Sequence, residues 1–152
     1  RAKLLDFGLS RILSRRARHF GGTLSWTAPE VIMRAESALR PSVDVFSFGR
    51  LVFMITTGSR PFTDVSRDEI IAAAQNSVCP PLEWPASMPL LEEARALSEA
   101  CLQIDPAHRP AIVSAQATLQ GWAMSATPEE LMQALNEAFP RQIGASGSLQ
   151  ET

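Results

Sequence analysis

The sequence predicts a mainly α-helical single domain built around one buried central helix, with a short strand remnant at its N-terminus. Three observations carry that expectation. Val43, Val45, Phe46, Phe48, Leu51, Val52, Phe53, Met54 and Ile55 cover nearly the whole circumference of a helix at 100° per residue. A helix that is apolar all round belongs inside a core. Downstream, amphipathic stretches alternate with proline-marked loops, the pattern of helices packed on such an axis. Finally, 152 residues that are 45 % hydrophobic and 20 % charged suffice for one domain with a real core.

In chain order, Leu4-Leu5 leads into Asp6-Phe7-Gly8, read as the end of a strand and a turn that Gly8 tightens. Residues 9–25 lack periodicity and are rich in Arg, Ser and Gly, which predicts a long surface loop. Structureless loops of that length are uncommon in compact domains and are usually functional. Pro29 favours the start of a short helix over 30–35. Ser42 is the expected cap of the apolar helix over 43–57, and Gly58 its end. Ser66-Arg67-Asp68-Glu69 is a capping box opening a helix to about Gln75. Four prolines in residues 77–89 predict an extended connection. Leu91, Ala94, Leu97, Ala100, Cys101 and Ile104 form one stripe of a helix over 90–104, broken by Asp105-Pro106. Further helices are expected over 111–122 and 127–139, the latter opened by Thr127 and Pro128, with a flexible tail over 140–152. The domain reading is thus one domain over 1–123, an accessory helix over 124–139, and the tail.

Composition narrows the function classes. Net charge is −2, and Phe46, Phe48 and Phe53 lie on the apolar helix, away from the basic residues, which argues against nucleic-acid binding. Basic residues concentrate instead in residues 1–20, where Arg1, Lys3, Arg11, Arg15, Arg16 and Arg18 face the single acid Asp6. The apolar helix is short of the roughly 20 residues a membrane span needs, so no membrane partner is expected. Two cysteines, Cys79 and Cys101, predict reduced thiols and a cytoplasmic setting, with the nucleus as alternative. The start, Arg1-Ala2-Lys3, has neither signal-peptide character nor an initiator methionine, so the chain is expected to begin partway through a gene product. His19, His108 and the two cysteines have no metal-ligand spacing.

Asp6-Phe7-Gly8, Ala28-Pro29-Glu30, Asp44-Val-Phe-Ser-Phe-Gly49 and Asp105-Pro-x-x-Arg109-Pro110 are individually common. In this order and spacing they resemble the second half of a protein-kinase domain, from its metal-binding motif to its final helices, with tyrosine-kinase-like and Ser/Thr kinases most similar. The fold implied is a kinase-like C-terminal lobe fragment. The resemblance implies magnesium ligation by Asp6, with Phe7 and Gly8 completing the cofactor-binding motif; a carboxylate is the hard-oxygen ligand that ion prefers. It places residues 9–27 in the activation segment and implies that Thr23 bonds to the catalytic aspartate and positions it. It implies a buried structural ion pair between Glu30 and Arg109, and an anchoring of the catalytic loop by Asp44. A carboxylate at a helix N-terminus is also favoured by the dipole alone. Ser10 and Ser14, among the arginines, are candidate phosphosites, the plainer reading being a solvated basic loop. The family's usual site four residues before Thr23 is His19 here, which cannot serve.

The implied function is transfer of the ATP γ-phosphate to Ser/Thr hydroxyls of a protein substrate, with ATP and Mg²⁺ as cofactors. A kinase also needs a glycine-rich lid, a phosphate-binding lysine and a catalytic loop. These 152 residues contain none of them. The partners expected are therefore the N-terminal lobe and catalytic-loop segment, and the parent protein, not the isolated chain, is expected to be the enzyme. The orphan face of the apolar helix should expose an apolar patch. The alternatives are a pseudokinase or truncated lobe acting as a protein-binding module, and an unrelated helical interaction domain.

Overall fold

A computed structural model describes residues 23–35, 40–86, 91–125 and 129. The expected strand end at Leu4-Leu5, the Asp6-Phe7-Gly8 motif, Ser10, Ser14 and the tail over 140–152 lie outside the described residues, as does all but Glu129 of the helix expected over 127–139. Among the described residues the chain is helical and has no strand.

A 3-10 turn, Leu24–Trp26, leads into α1 (Pro29–Ile32), then α2 (Ser42–Thr57), α3 (Arg67–Gln75), α4 (Leu91–Cys101), a second 3-10 turn (Pro106–His108) and α5 (Ile112–Ser125). Helix α2 is the axis. One side of it, through Val45 and Val52, meets Ala94, Leu97 and Cys101 of α4 and Ala115 of α5. The other, through Phe46, meets Ala28, Val31 and Leu102. Trp84, on the extended connection, closes the core by packing edge-on against Phe53, ring centroids 5.1 Å apart. Helix α3 lies against α1 and the first 3-10 turn, burying Ile70 and Ala74.

The α2–α4 crossing depends on the absence of a side chain. A Cβ at Gly49 would stand 2.7 Å from the Cys101 Cβ, 3.1 Å from the Ser98 carbonyl oxygen and 3.2 Å from the Leu102 Cγ. The close approach lets the buried Ser98 hydroxyl donate to the Gly49 carbonyl at 2.9 Å. That oxygen is already part of the α2 ladder, so Ser98 uses its second lone pair and remains satisfied in an apolar interface.

The helix ends follow local hydrogen-bond chemistry. Ser66 accepts from the Glu69 N–H while Glu69 accepts from the Ser66 N–H, the capping box expected at the head of α3. Gly58 ends α2 at φ 71°, in the left-handed region. Helix α1 stops at Ile32, short of the expected residue 35. Its end is a Schellman turn, with the Ala35 N–H on the Glu30 carbonyl and the Arg34 N–H on Val31, at Arg34 φ 54°. Ser77 closes α3 in the same way at φ 54°, again without glycine. Ser42 is not a cap: it is the first residue of α2, whose start at Pro41 has no side-chain cap. Helix α4 ends at Cys101, short of the expected 104, because a side chain described below takes the carbonyls beyond it. Helix α5 begins one residue later than expected and runs on to Ser125.

Helix α2 is not buried on every side. Leu51 is 37 % and Ile55 58 % exposed. With exposed Asp44 and half-buried Phe48 they make one stripe at helical spacing, the uncovered apolar face anticipated from the sequence.

Gly49→Ala should destabilise the chain by about 1–3 kcal/mol, because α2 and α4 must separate to admit the methyl group. Ser98→Ala should cost about 1 kcal/mol, the net worth of one hydrogen bond. Thermal and denaturant melts of both variants test this ordering; a Gly49→Ala melt equal to wild type would contradict the crossing geometry.

Candidate functional site

The motif residues within the described structure converge on the junction of α1, α2 and the second 3-10 turn. Pro29 at the first position of α1 sets the helical φ, and places Glu30 in the first turn with its side chain facing α2. Asp105 caps the second 3-10 turn, its Oδ1 accepting from the Ala107 N–H at 2.9 Å, and so directs the chain to Arg109.

Glu30 and Arg109, 79 positions apart, meet in a two-pronged ion pair. Nη1 donates to Oε1 at 2.6 Å and Nη2 to Oε2 at 2.8 Å. The side chains are 0 % and 6 % exposed for Arg109 and Glu30 respectively. The remaining donors of the guanidinium are also used. Nε donates to the Gln103 carbonyl at 2.8 Å, Nη1 to Ser42 at 2.9 Å and Nη2 to Ile104 at 3.2 Å. All five N–H groups of Arg109 therefore have acceptors, which lets a full charge sit in the interior. The same bonds explain the early end of α4. Arg109 draws the Gln103 and Ile104 carbonyls out of helical register and satisfies them itself.

The segment leading into α1 is held from its other end by α2. The Ser47 hydroxyl donates to the Trp26 carbonyl at 2.9 Å, and at 3.3 Å to Val43. The Thr23 carbonyl accepts from the Trp26 N–H at 2.9 Å and from the Thr27 hydroxyl at 3.0 Å. Thr23 itself is exposed, and its hydroxyl makes no capping bond to the turn it precedes. Asp44 is exposed in the first turn of α2. The structure thus brings Glu30 and Arg109 together and leaves Thr23 and Asp44 on the surface. Among the described residues no three His, Cys, Asp or Glu side chains come together as a metal site.

One buried residue escapes a reading based on apolar spacing. Arg50, in the middle of α2, is only 3 % exposed. Its guanidinium lies 3.8 Å from the Phe62 ring centroid and 5.1 Å from that of Phe46. Nη2 donates to the Cys79 sulfur at 3.3 Å, while Nε and Nη1 are buried without a partner. Burial pulls the Arg50 pKa down to about 10, so it stays cationic at neutral pH. Burial also pushes the Cys79 thiol up, against the opposing pull of Arg50, so the sulfur faces the cation as a neutral thiol. Phe62 stacks there with its backbone in the left-handed region, at φ 62°. For a bulky residue that is a strained backbone. The signal in the sequence was the charge itself, an arginine within an otherwise apolar helix.

The two buried arginines should respond oppositely to removal. Arg109→Ala strands Glu30 and the carbonyls of Ser42, Gln103 and Ile104, and should cost about 3–5 kcal/mol. Arg50→Met removes a cation with two unpartnered nitrogens and leaves no partner charge, so its melting temperature should equal or exceed wild type. Melts of the two variants side by side decide the matter. An unchanged Arg109→Ala, or an Arg50→Met as unstable as Arg109→Ala, would defeat this account of the charges.

The chain matches the model of the family described as "Protein kinase domain" over residues 1–121. It is 33 % identical over 109 residues to Protein kinase kin1 of Schizosaccharomyces pombe, covering 70 % of this chain and 12 % of that protein. Mitogen-activated protein kinase kinase kinase 12 of Rattus norvegicus is 35 % identical over 111 residues, 71 % of this chain and 12 % of that protein. Mitogen-activated protein kinase kinase kinase 10 of Xenopus laevis is 31 % identical over 144 residues, 92 % of this chain and 14 % of its own length. The chain therefore spans a small fraction of the curated relatives it matches. No helix among the described residues is long and apolar enough to cross a membrane. With the family model covering most of its length, the chain belongs to the protein kinase family.

Proposed function

We propose that this chain supplies the substrate-docking platform and helical base of a protein Ser/Thr kinase domain. The observation that carries the reading is the double anchoring of residues 23–32. Glu30 holds one end through the buried pair with Arg109, and Ser47 holds the Trp26 carbonyl near the other. A segment so fixed presents Thr23 at the surface in a defined place. Positioning is what such a segment must provide, because phosphoryl transfer is catalysed mainly by orientation and charge neutralisation.

In this reading the Thr23 hydroxyl, able to donate and accept at once, orients the catalytic aspartate of a separate segment. Asp44 accepts from the backbone of that segment. Asp6 is the residue that would hold Mg²⁺, which together with ATP supplies the phosphoryl group and shields its charge. Neither the nucleotide clamp nor the base that takes the hydroxyl proton is among these 152 residues. The chain alone is therefore inactive, and its protein substrates are those of a complete domain. Gly22-Thr23 supports Ser/Thr acceptors.

Incubated alone with Mg²⁺, labelled ATP and Ser- and Tyr-containing peptides, the chain should transfer no phosphate; labelling would overturn its dependence on the other segments. Residues 1–121 grafted in place of the matching part of the kinase kinase kinase 10 domain should support transfer to Ser/Thr peptides. In that chimera Thr23→Val should lower kcat about 10²-fold with KM for ATP unchanged. A folded chimera without activity, or a Thr23→Val variant with full kcat, would sink the assigned roles.

A further inference from the structure

Cys79 lies on the extended connection after α3 and packs, half-buried, against the core cluster around Phe46. Its sulfur accepts from Arg50 Nη2 at 3.3 Å. That guanidinium has room for a better partner than a thiol. Arg50 is only 3 % exposed, yet its Nε and Nη1 are buried without a partner. The Phe62 ring lies over the cation at 3.8 Å, so what Arg50 lacks is acceptors in its own plane. Nη2 shares one edge of the planar fork with Nε and the other with Nη1. An oxygen added to the sulfur beside Nη2 therefore meets an empty position on either edge. A buried cation with two bare nitrogens is a seat for an anion, and neutral sulfur is a weak acceptor.

We propose that Cys79 is a site of oxidation by hydrogen peroxide, and that Arg50 is the preformed seat of its sulfinate. In the first step an S–O bond forms and the peroxide O–O bond breaks. The thiol proton leaves with the second peroxide oxygen as water, sulfur is oxidised to a sulfenic acid and the peroxide is reduced. A second peroxide repeats the transfer, giving a sulfinic acid and a second water, and the acid releases its proton to solvent. Cys101, the chain's other cysteine, is fully buried in the other core cluster, so it is not placed to intercept the sulfenic acid as a disulfide. Burial holds the resting thiol up against the pull of Arg50 and, more weakly, of Arg109. Thiolate is the reactive form, so the oxidation is slow, and the arginine selects the product and not the rate. The sulfinate brings a full charge and two oxygens to a fork that holds one sulfur in the reduced chain. Charge-assisted bonds then tie the connection after α3 to the axial helix.

Hydrogen peroxide added to the 152-residue chain, followed by peptide mass spectrometry and thermal melts, tests the site. Cys79 should gain two oxygen atoms before Cys101 gains any. The oxidised chain should melt above a Cys79→Ala chain treated identically, which carries the methionine oxidation alone, by roughly 3 °C more than the untreated pair differ. The seat is tested separately, without peroxide, by a carboxylate in place of the sulfinate. Cys79→Asp should melt roughly 3 °C or more above Cys79→Asn, and should lose that margin when Arg50→Met is added. Cys101 reacting first, or Cys79 remaining a thiol, would overturn the oxidation site. An oxidised chain less stable than its baseline, or Asp and Asn variants that melt alike, would overturn the role of Arg50.

Discussion

The buried contact between Glu30 and Arg109 is the constraint on which the arrangement of the chain rests. It is a closure over 79 positions, joining the first helix to the loop before the last. A closure of that span holds little conformational freedom in reserve, and it works only because the guanidinium is a rigid five-donor fork. Every one of those donors has a partner, and three of the partners are backbone carbonyls of Ser42, Gln103 and Ile104. The pair therefore does more than neutralise a charge. It sets where α4 stops and ties the start of α2 to the same point. A lysine could supply the charge but not the geometry.

Around that junction, α2 acts as the ruler. Gly49 brings α4 close, Ser47 holds the segment before α1, and Phe46 lies within stacking distance of both Arg50 and Arg109, 5.1 and 4.9 Å from their guanidinium carbons. A single turn of one helix, Phe46 to Gly49, thus serves α4, the segment before α1 and Arg109. The uncovered stripe of Leu51 and Ile55 completes the circumference. A helix apolar on every side can be served by so many partners only if almost none of its surface is left polar.

Much of this was legible beforehand, because it follows from local chemistry. The capping box at Ser66, the stop at Gly58 and the stripe of α4 are patterns within one or two turns, where side-chain spacing decides the outcome. The errors all fall at helix boundaries. Helix α1 ends early in a Schellman turn at Arg34, a residue with no intrinsic leaning toward positive φ. Helix α4 ends early because Arg109, outside it in sequence, claims the Gln103 and Ile104 carbonyls just beyond it. Ser42 fails as a cap because α2 starts a residue earlier. Of these, the end of α4 is set by a tertiary contact, which propensity cannot see, and the end of α1 by a turn that needs no glycine. The partnership of Glu30 with Arg109 was accessible only through likeness to a family, since no local pattern links residues so far apart.

Arg50 shows the limit of reasoning from composition alone. Two arginines lie in the interior of one small domain, both close to Phe46, yet their energetics differ in kind. Arg109 meets a carboxylate and three carbonyls; Arg50 meets aromatic faces and a neutral thiol, and leaves two nitrogens bare. Cation–π attraction of about 1–2 kcal/mol per desolvated contact offsets part of that burial but does not replace hydrogen bonds. The strained backbone at Phe62 is a further cost of bringing its ring over the cation. A residue held at such expense in the middle of the axial helix, against the loop that follows it, ties the position of that loop to the charge beneath it. The position of the α2–α3 connection, rather than the stability of the fold, is thereby made to depend on a side chain that contributes nothing to the ion pair anchoring the domain.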